Sequence, residues 1–229
     1  QEYGNILIPS GFGELASGLV GEGRMAEPSE IIESITADLN KNFPLTNKNV
    51  LITAGPTHES IDSVRYIANR SSGKMGIALA IEAANNGALV NLVLGPTHLK
   101  CNHTNVTVHK VITASQMYEQ ANVHFPTTDI GIFAAAVADY QADFIAEKKI
   151  KKSDTNLNIS LKKTVDILKE LGNKKNQKQF IVGFALESDN EVENAKKKLK
   201  RKNLDMIVLN SLNNKGAGFQ HNTNKITII

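Results

Sequence analysis

Along most of this chain, short apolar runs alternate with longer segments whose apolar residues recur at three- and four-residue spacing. The runs at 50–53, 89–94, 130–134, 180–184 and 206–209, with a weaker one at 106–109, predict strands. The periodic segments near 73–86, 115–124, 165–171 and 190–201 predict amphipathic helices. Strands apolar throughout, set between such helices, predict an α/β fold: a Rossmann-like, mostly parallel sheet with helices on both faces and right-handed crossovers. Residues 157–161 and 226–229 read as an added hairpin or edge. The first forty residues form an irregular N-terminal extension. Gly4, Gly11, Gly13, Gly18, Gly21 and Gly23 are too many for a regular helix. Pro28-Ser29-Glu30 then opens a short helix to about Leu39, with Ile31, Ile32 and Ile35 on one face. Residues 41–48 read as a linker.

One stretch carries chemistry. The first strand stops at Gly55-Pro56, and Ser71-Ser72-Gly73-Lys74 opens the helix that carries Met75, Ile77, Leu79, Ala80, Ala83 and Ala84. Unpaired N–H groups of a first helical turn, the positive end of its dipole and a lysine together predict a phosphate site. Two familiar phosphate motifs do not fit. A Walker loop is excluded because Met75 follows the lysine and Asn69 stands near the place of its first glycine. The dinucleotide fingerprint lacks its first glycine, leaving Gly73 and Gly76 alone. A glycine-containing helix start that binds nothing is the plainer alternative. In a sheet of this kind, the carboxyl ends of the strands would gather Gly55, residues 136–139, residues 184–187 and Asn210.

Composition narrows the picture a little. With 229 residues, 41% of them hydrophobic, the chain suggests one large domain or one domain with an appendage. No apolar run approaches the roughly 20 residues of a membrane span, and the first residues are not a signal peptide. A single cysteine, Cys101, allows no intrachain disulfide and suits a cytoplasmic protein. Both ends read as cut from something longer. Residues 1–146 carry 8 Lys and Arg against 14 Asp and Glu, whereas residues 147–229 carry 18 against 9. Most of the later lysines fit a solvated helix face. Lys148-Lys149-Ile150-Lys151-Lys152 lies instead in a polar, turn-prone stretch, where it could close over a polyphosphate or simply serve solubility.

Six motifs in order resemble one known family. Ile-Thr-Ala-Gly-Pro-Thr from Ile52, Val-Arg-Tyr-Ile-Ala-Asn-Arg-Ser-Ser-Gly-Lys-Met-Gly from Val64, Ala-Ala-Ala-Val-Ala-Asp-Tyr at 134–140, Lys-Ile-Lys-Lys at 149–152, Val-Gly-Phe-Ala-Leu-Glu at 182–187 and Asn-Leu-Asp at 203–205 resemble bacterial phosphopantothenate–cysteine ligase. This is the second domain of a bifunctional coenzyme A biosynthesis protein. The match covers roughly 48–229, with residues 49–229 expected as a ligase domain shortened at its C-terminus. Residues 1–40, with Gly21-Glu22-Gly23-Arg24-Met25-Ala26-Glu27-Pro28, resemble the tail of the preceding decarboxylase domain and its substrate clamp.

The resemblance implies a reaction and a set of roles. The carboxylate of 4′-phosphopantothenate attacks the α-phosphate of CTP, and the cysteine amine then displaces CMP from the acyl-cytidylate. Asn69 is expected to hold the carboxylate and then the intermediate. Arg65 is expected to help the second half-reaction, with a salt bridge to Asp62 or Glu59 as its plainer role. Lys149 is expected on a flexible flap that closes onto the triphosphate. Gly55, Ser71, Ser72, Gly73, Lys74, Ala136, Asp139 and Phe184 would form the nucleotide site, with Ala136 also near substrate and Phe184 offering its backbone to cytosine. Asn210 is a further candidate. Mg2+ is expected with CTP, held largely by phosphate oxygens and water, with Asp139 near the ribose or the metal. FMN is expected only with the flavin-binding body of the decarboxylase domain, which lies outside these residues. A homodimer through the ligase domain is implied, with no nucleic-acid or membrane partner.

One departure and several rivals complete the reading. The family's clamp cysteine would fall at Ala16-Ser17-Gly18, where this chain has serine, so decarboxylation by these residues alone is not expected. His98, Cys101 and His103 lack a fourth ligand at zinc spacing. A nicotinamide oxidoreductase would need the glycine fingerprint and an acidic residue after the second strand, where Leu94-Gly95-Pro96 stands. A nucleic-acid module would use the lysine-rich half and show salt-sensitive binding.

Overall fold

The structure is a computed structural model; it describes residues 6–15, 17–41, 43–152, 156–187, 189–211 and 225–229. The chain divides into two compact units, Gln1–Thr46 and Asn47–Ile229.

In the first unit, β1 (Gly11–Glu14) and β2 (Val20–Arg24) form an antiparallel pair, followed by α1 (Pro28–Lys41). Glycines that rule out a helix thus build a hairpin, whose turn is closed by Gly18 N–H donating to the Leu15 carbonyl at 2.8 Å. The Glu30 carboxylate accepts from the Glu27 N–H at 3.0 Å at the start of α1. Ile32 and Ile35, expected on an apolar face, are exposed. Of the clamp segment, Ala16 lies outside the described residues.

The second unit runs β3 (Asn49–Ala54), β4 (Glu59–Ser60), β5 (Tyr66–Ile67), α2 (Lys74–Asn85), β6 (Leu89–Leu94), β7 (Val106–Lys110), α3 (Ala114–His124), β8 (Ile130–Phe133), β9 (Tyr140–Ala142), β10 (Leu161–Lys163), α4 (Ile167–Lys174), β11 (Phe180–Glu187), α5 (Glu191–Arg201), β12 (Met206–Ser211) and β13 (Ile226–Ile228). Its seven-stranded sheet has the order β13-β12-β11-β8-β3-β6-β7. All pairs are parallel except β12 with β13. This is the Rossmann-like α/β architecture that the apolar runs predict. The core holds Leu51, Ile52, Leu92, Met117, Leu171, Ile181 and Ile207, all fully buried. They come from strands and helices alike, as expected of a sheet covered on both faces.

Two predicted edges behave differently from expectation. Leu161–Lys163 pairs antiparallel with Tyr140–Ala142 in a separate small sheet, while β13 closes one edge of the main sheet. They are therefore not one hairpin. Each forms because a nearby strand has an open edge, which no local pattern records. Predicted strand ends fall a few residues short at β11 and β12, where the apolar run stops but the ladder continues to Glu187 and Ser211. Among the described residues, no helix is long and apolar enough to cross a membrane.

Candidate active site

Strand order reverses between β3 and β8, and in open α/β sheets that reversal opens a crevice at the carboxyl ends of the strands. Here β3 is followed by Gly55, whose φ of 80° is left-handed. The Ala136 N–H donates to the Gly55 carbonyl at 2.9 Å, and Pro56 and Ala136 form one further parallel bridge. Thr57, fully buried, accepts the Ala138 N–H on Oγ1 at 3.0 Å. From the other side, Thr164 donates Oγ1–H to the Ala138 carbonyl at 2.5 Å and its N–H to the Asp139 carbonyl at 3.0 Å. The segment carrying Ala136 and the exposed Asp139 is thus fixed on both flanks.

The turn into α2 lies against this seam. Gly73 caps the helix with φ 77°, and a Cβ there would lie 3.3 Å from Gly55 Cα. A Cβ on Gly55 would in turn lie 3.2 Å from the Gly95 carbonyl oxygen. Three backbones therefore stack with no side chain between them. The Thr97 hydroxyl donates to the Ser72 carbonyl at 2.7 Å and holds the turn from the β6 side. The expected unpaired N–H groups are not all unpaired. Gly73 N–H donates to Ser71 Oγ at 3.3 Å and Lys74 N–H to Ser72 Oγ at 3.4 Å, because short hydroxyl side chains fold back onto their own turn. Both bonds are long, so an anion bearing full charge would compete well for these donors. Lys74 is exposed at the first helical position.

Asn69 joins the two halves: its Nδ2 donates to the Val137 carbonyl at 2.8 Å. That uses one of two amide hydrogens. Arg65 is paired with Asp62, the plainer of the roles considered for it, with Nη2 2.5 Å from Oδ2. The same Nη2 donates to the Ile150 carbonyl at 2.8 Å, beside Lys149. The Asp62 carboxyl is held well below the usual carboxylate range. The Arg65 guanidinium is the main cause, burial opposes it, and N–H groups of Ile150, Val64 and Arg65 add to it. Glu59, the other partner considered, is buried and accepts the Ala114 N–H at 2.8 Å at the start of α3. There the carboxylate meets the positive end of the helix, which Thr113 and Gln116 close with a capping box. His58 stacks on Tyr66 at 3.9 Å, and burial lowers its imidazole pKa, with Glu59 partly opposing.

Gly55, Asn69, Gly73 and Ala136 are therefore in one place, with Ser71, Ser72 and Lys74 on the same turn and Asp139 three residues past Ala136. Arg65 bonds to the backbone of Ile150, the residue that follows Lys149 in the chain. Phe184 lies on β11 one position past the Gly183–Phe133 pair, half-buried. Its carbonyl accepts the Lys198 ammonium at 2.7 Å, a partner that nothing in the sequence suggests. Asn210 is half-buried in β12. His103 accepts the Asn105 N–H on Nδ1 at 3.1 Å, and burial pushes the Cys101 thiol up. Sequence reasoning also missed the tying hydroxyls of Thr57, Thr97 and Thr164. Thr57 and Thr97 each follow a Gly-Pro pair after a strand, and Thr164 directly follows β10.

The family profile described as DNA/pantothenate metabolism flavoprotein C-terminal domain matches residues 45–229. The chain belongs to this family. Among family relatives, it is 53% identical over 233 residues to a protein named cysteine/cysteine sulfinic acid decarboxylase from an unknown prokaryotic organism, covering 100% of this chain and 65% of that protein. It is 44% identical over 227 residues to the coenzyme A biosynthesis bifunctional protein CoaBC of Bacillus subtilis (strain 168), covering 98% of this chain and 56% of that protein. The fold is also that of the crystal structure of the C-terminal domain of CoaBC. The TM-score is 0.67 at 43% identity, over 80% of this chain and 82% of the other. The chain thus spans between 56% and 65% of the length of these two curated relatives. The family resemblance carried by the six motifs is met in sequence and fold.

Proposed function

We propose that the chain acts in coenzyme A biosynthesis, joining L-cysteine to 4′-phosphopantothenate at the expense of CTP. The observation that carries this reading is the joining of the Asn69 amide, the Gly55–Ala136 seam and the Gly73 turn at one strand-order reversal. A carboxylate donor and an anion-binding helix start side by side suit a carboxylate and a nucleotide phosphate brought together. In the first step, a carboxylate oxygen of 4′-phosphopantothenate bonds to the α-phosphorus of CTP, and the bond to pyrophosphate breaks. The second hydrogen of Asn69 Nδ2 holds that carboxylate. The Ser71–Lys74 turn and Lys149 take the phosphate charge. In the second step, the cysteine nitrogen bonds to the acyl carbon, CMP leaves with the bonding pair, and the amine gives up a proton. Arg65 helps this second step. Asp139, an exposed carboxylate just before β9, would hold a Mg2+ ion, which would neutralise triphosphate charge.

A homodimer of this domain is part of the same proposal. Its support is the apolar surface around β9 and β10, where Phe144 is 81% exposed and Tyr140, Ile145 and Leu161 are exposed as well. Sedimentation velocity should then read twice 24.9 kDa.

Pyrophosphate release tests the reaction. The chain is mixed with magnesium and either CTP or ATP, with and without 4′-phosphopantothenate and cysteine. Release should require 4′-phosphopantothenate, favour CTP, and become catalytic only with cysteine. A folded chain that binds CTP yet releases nothing, or releases pyrophosphate without 4′-phosphopantothenate, overturns the proposal.

A further inference from the structure

Asp62 does more than pair with Arg65: its side chain is 0% exposed, and both of its carboxylate oxygens accept several donors. Oδ1 accepts the N–H groups of Val64 and Arg65, each at 2.8 Å, and so closes the turn between β4 and β5. Oδ2 accepts Arg65 Nε at 3.0 Å, Arg65 Nη2 at 2.5 Å and the Ile150 N–H at 3.1 Å. Arg65 Nη2 donates to the Ile150 carbonyl at 2.8 Å. Both backbone groups of Ile150 are therefore gripped by one ion pair. Four residues earlier, the Ala146 N–H donates to the Ile61 carbonyl at 3.0 Å. The lysine loop hangs between these two ties, with Lys148 and Lys149 exposed.

A turn alone would need only Oδ1, and an ion pair alone would need only the guanidinium. The bonds to Ile150 belong to neither and join parts of the chain 85 and 88 residues apart. We infer that Asp62 is a positioning residue whose carboxylate sets Arg65 and the Lys149 backbone as one coupled unit. Which reaction this serves rests on the ligase reading; the coupling itself does not. The lysine charge is then delivered to a phosphate from a fixed distance, rather than searched for by a long free loop.

Asp62→Asn isolates the effect. Its Oδ1 can still accept from Val64 and Arg65, while its NH2 turns donors toward the donors of Arg65 and Ile150. Hydrogen exchange of the unliganded chain should show about tenfold or faster exchange at the Ile150 amide, with β3 and β6 unchanged. In turnover, kcat for pyrophosphate release should fall about tenfold with the KM for cysteine unmoved. Asp62→Asn should also add nothing to Lys149→Gln, because both remove the same placed charge. Asp62→Glu should recover part of the loss. Unchanged exchange at Ile150 overturns the coupling whatever the activity; faster exchange with undiminished kcat, or additive losses with Lys149→Gln, overturns the positioning role. A wild-type chain without ligase activity but with the exchange change in Asp62→Asn keeps the coupling and sinks the ligase reading. If Asp62→Asn loosens the whole sheet, Arg65→Lys decides. It keeps the charge but loses the two-nitrogen grip on Asp62 and the Nη2 bond to the Ile150 carbonyl, and faster exchange confined to the 146–150 loop supports the proposal while exchange at the wild-type rate overturns it.

Discussion

The hairpin of the first unit and the strand ends of the second are both rich in glycine, but for opposite reasons. Around Gly18 a Cβ would meet nothing within 4 Å, and at Gly21 its nearest neighbour would be Leu15 Cδ1 at 4.0 Å. At Gly95 the same atom would lie 1.8 Å from the Pro56 carbonyl oxygen, and at Gly76 2.3 Å from Ala54 Cβ. In the hairpin, glycine serves a turn in the chain. At the candidate active site it is demanded by backbones that touch. Glycine count therefore says little about constraint; the neighbours decide.

Adding one methyl group breaks or sharpens this contrast. Gly95→Ala should be the most damaging, because the opposing atoms are backbone that cannot rotate away. A loss of about 4 kcal/mol or more is expected, read as a shift in the urea midpoint of the second unit. Gly76→Ala should cost less, about 1–3 kcal/mol from overpacking, with the better helix propensity of alanine offsetting about 1 kcal/mol. The same titration would show it. Gly21→Ala should stay within about 0.5 kcal/mol of the parent. A large loss there, or a harmless Gly95→Ala, would remove the distinction between the two regions.

How far the sequence reveals these features depends on whether the cause is local. The apolar runs at 50–53 and 89–94 and the spacing from Ile77 to Ala84 announce β3, β6 and α2, since each records its own burial. The turn into α2 is legible as Ser-Ser-Gly-Lys, and Asn69, Ala136 and Arg65 through motif order. What stays hidden comes from distant partners. β4 and β5 are two residues each, too short for any period. The pairing of β9 with β10 joins residues about twenty apart across a polar stretch, and a threonine such as Thr57 reads as strand filler until Ala138 is opposite it. Asp62 is visible as an ion-pair partner of Arg65, but its grip on Ile150 spans 88 residues.

The contact of Gly95 with Pro56 also decides where movement can arise. Residues 54–57 and 95 form a jaw of touching backbones, further laced by the Gly95 N–H on the Ala54 carbonyl at 2.9 Å. Such a jaw has no slack to fold inward over an occupant. Residues 146–150 are held differently, by hydrogen bonds from Ala146 to Ile61 and from Ile150 to the Asp62–Arg65 pair. Amide exchange should therefore release the 146–150 ties well before the contacts of 54–57 with 95.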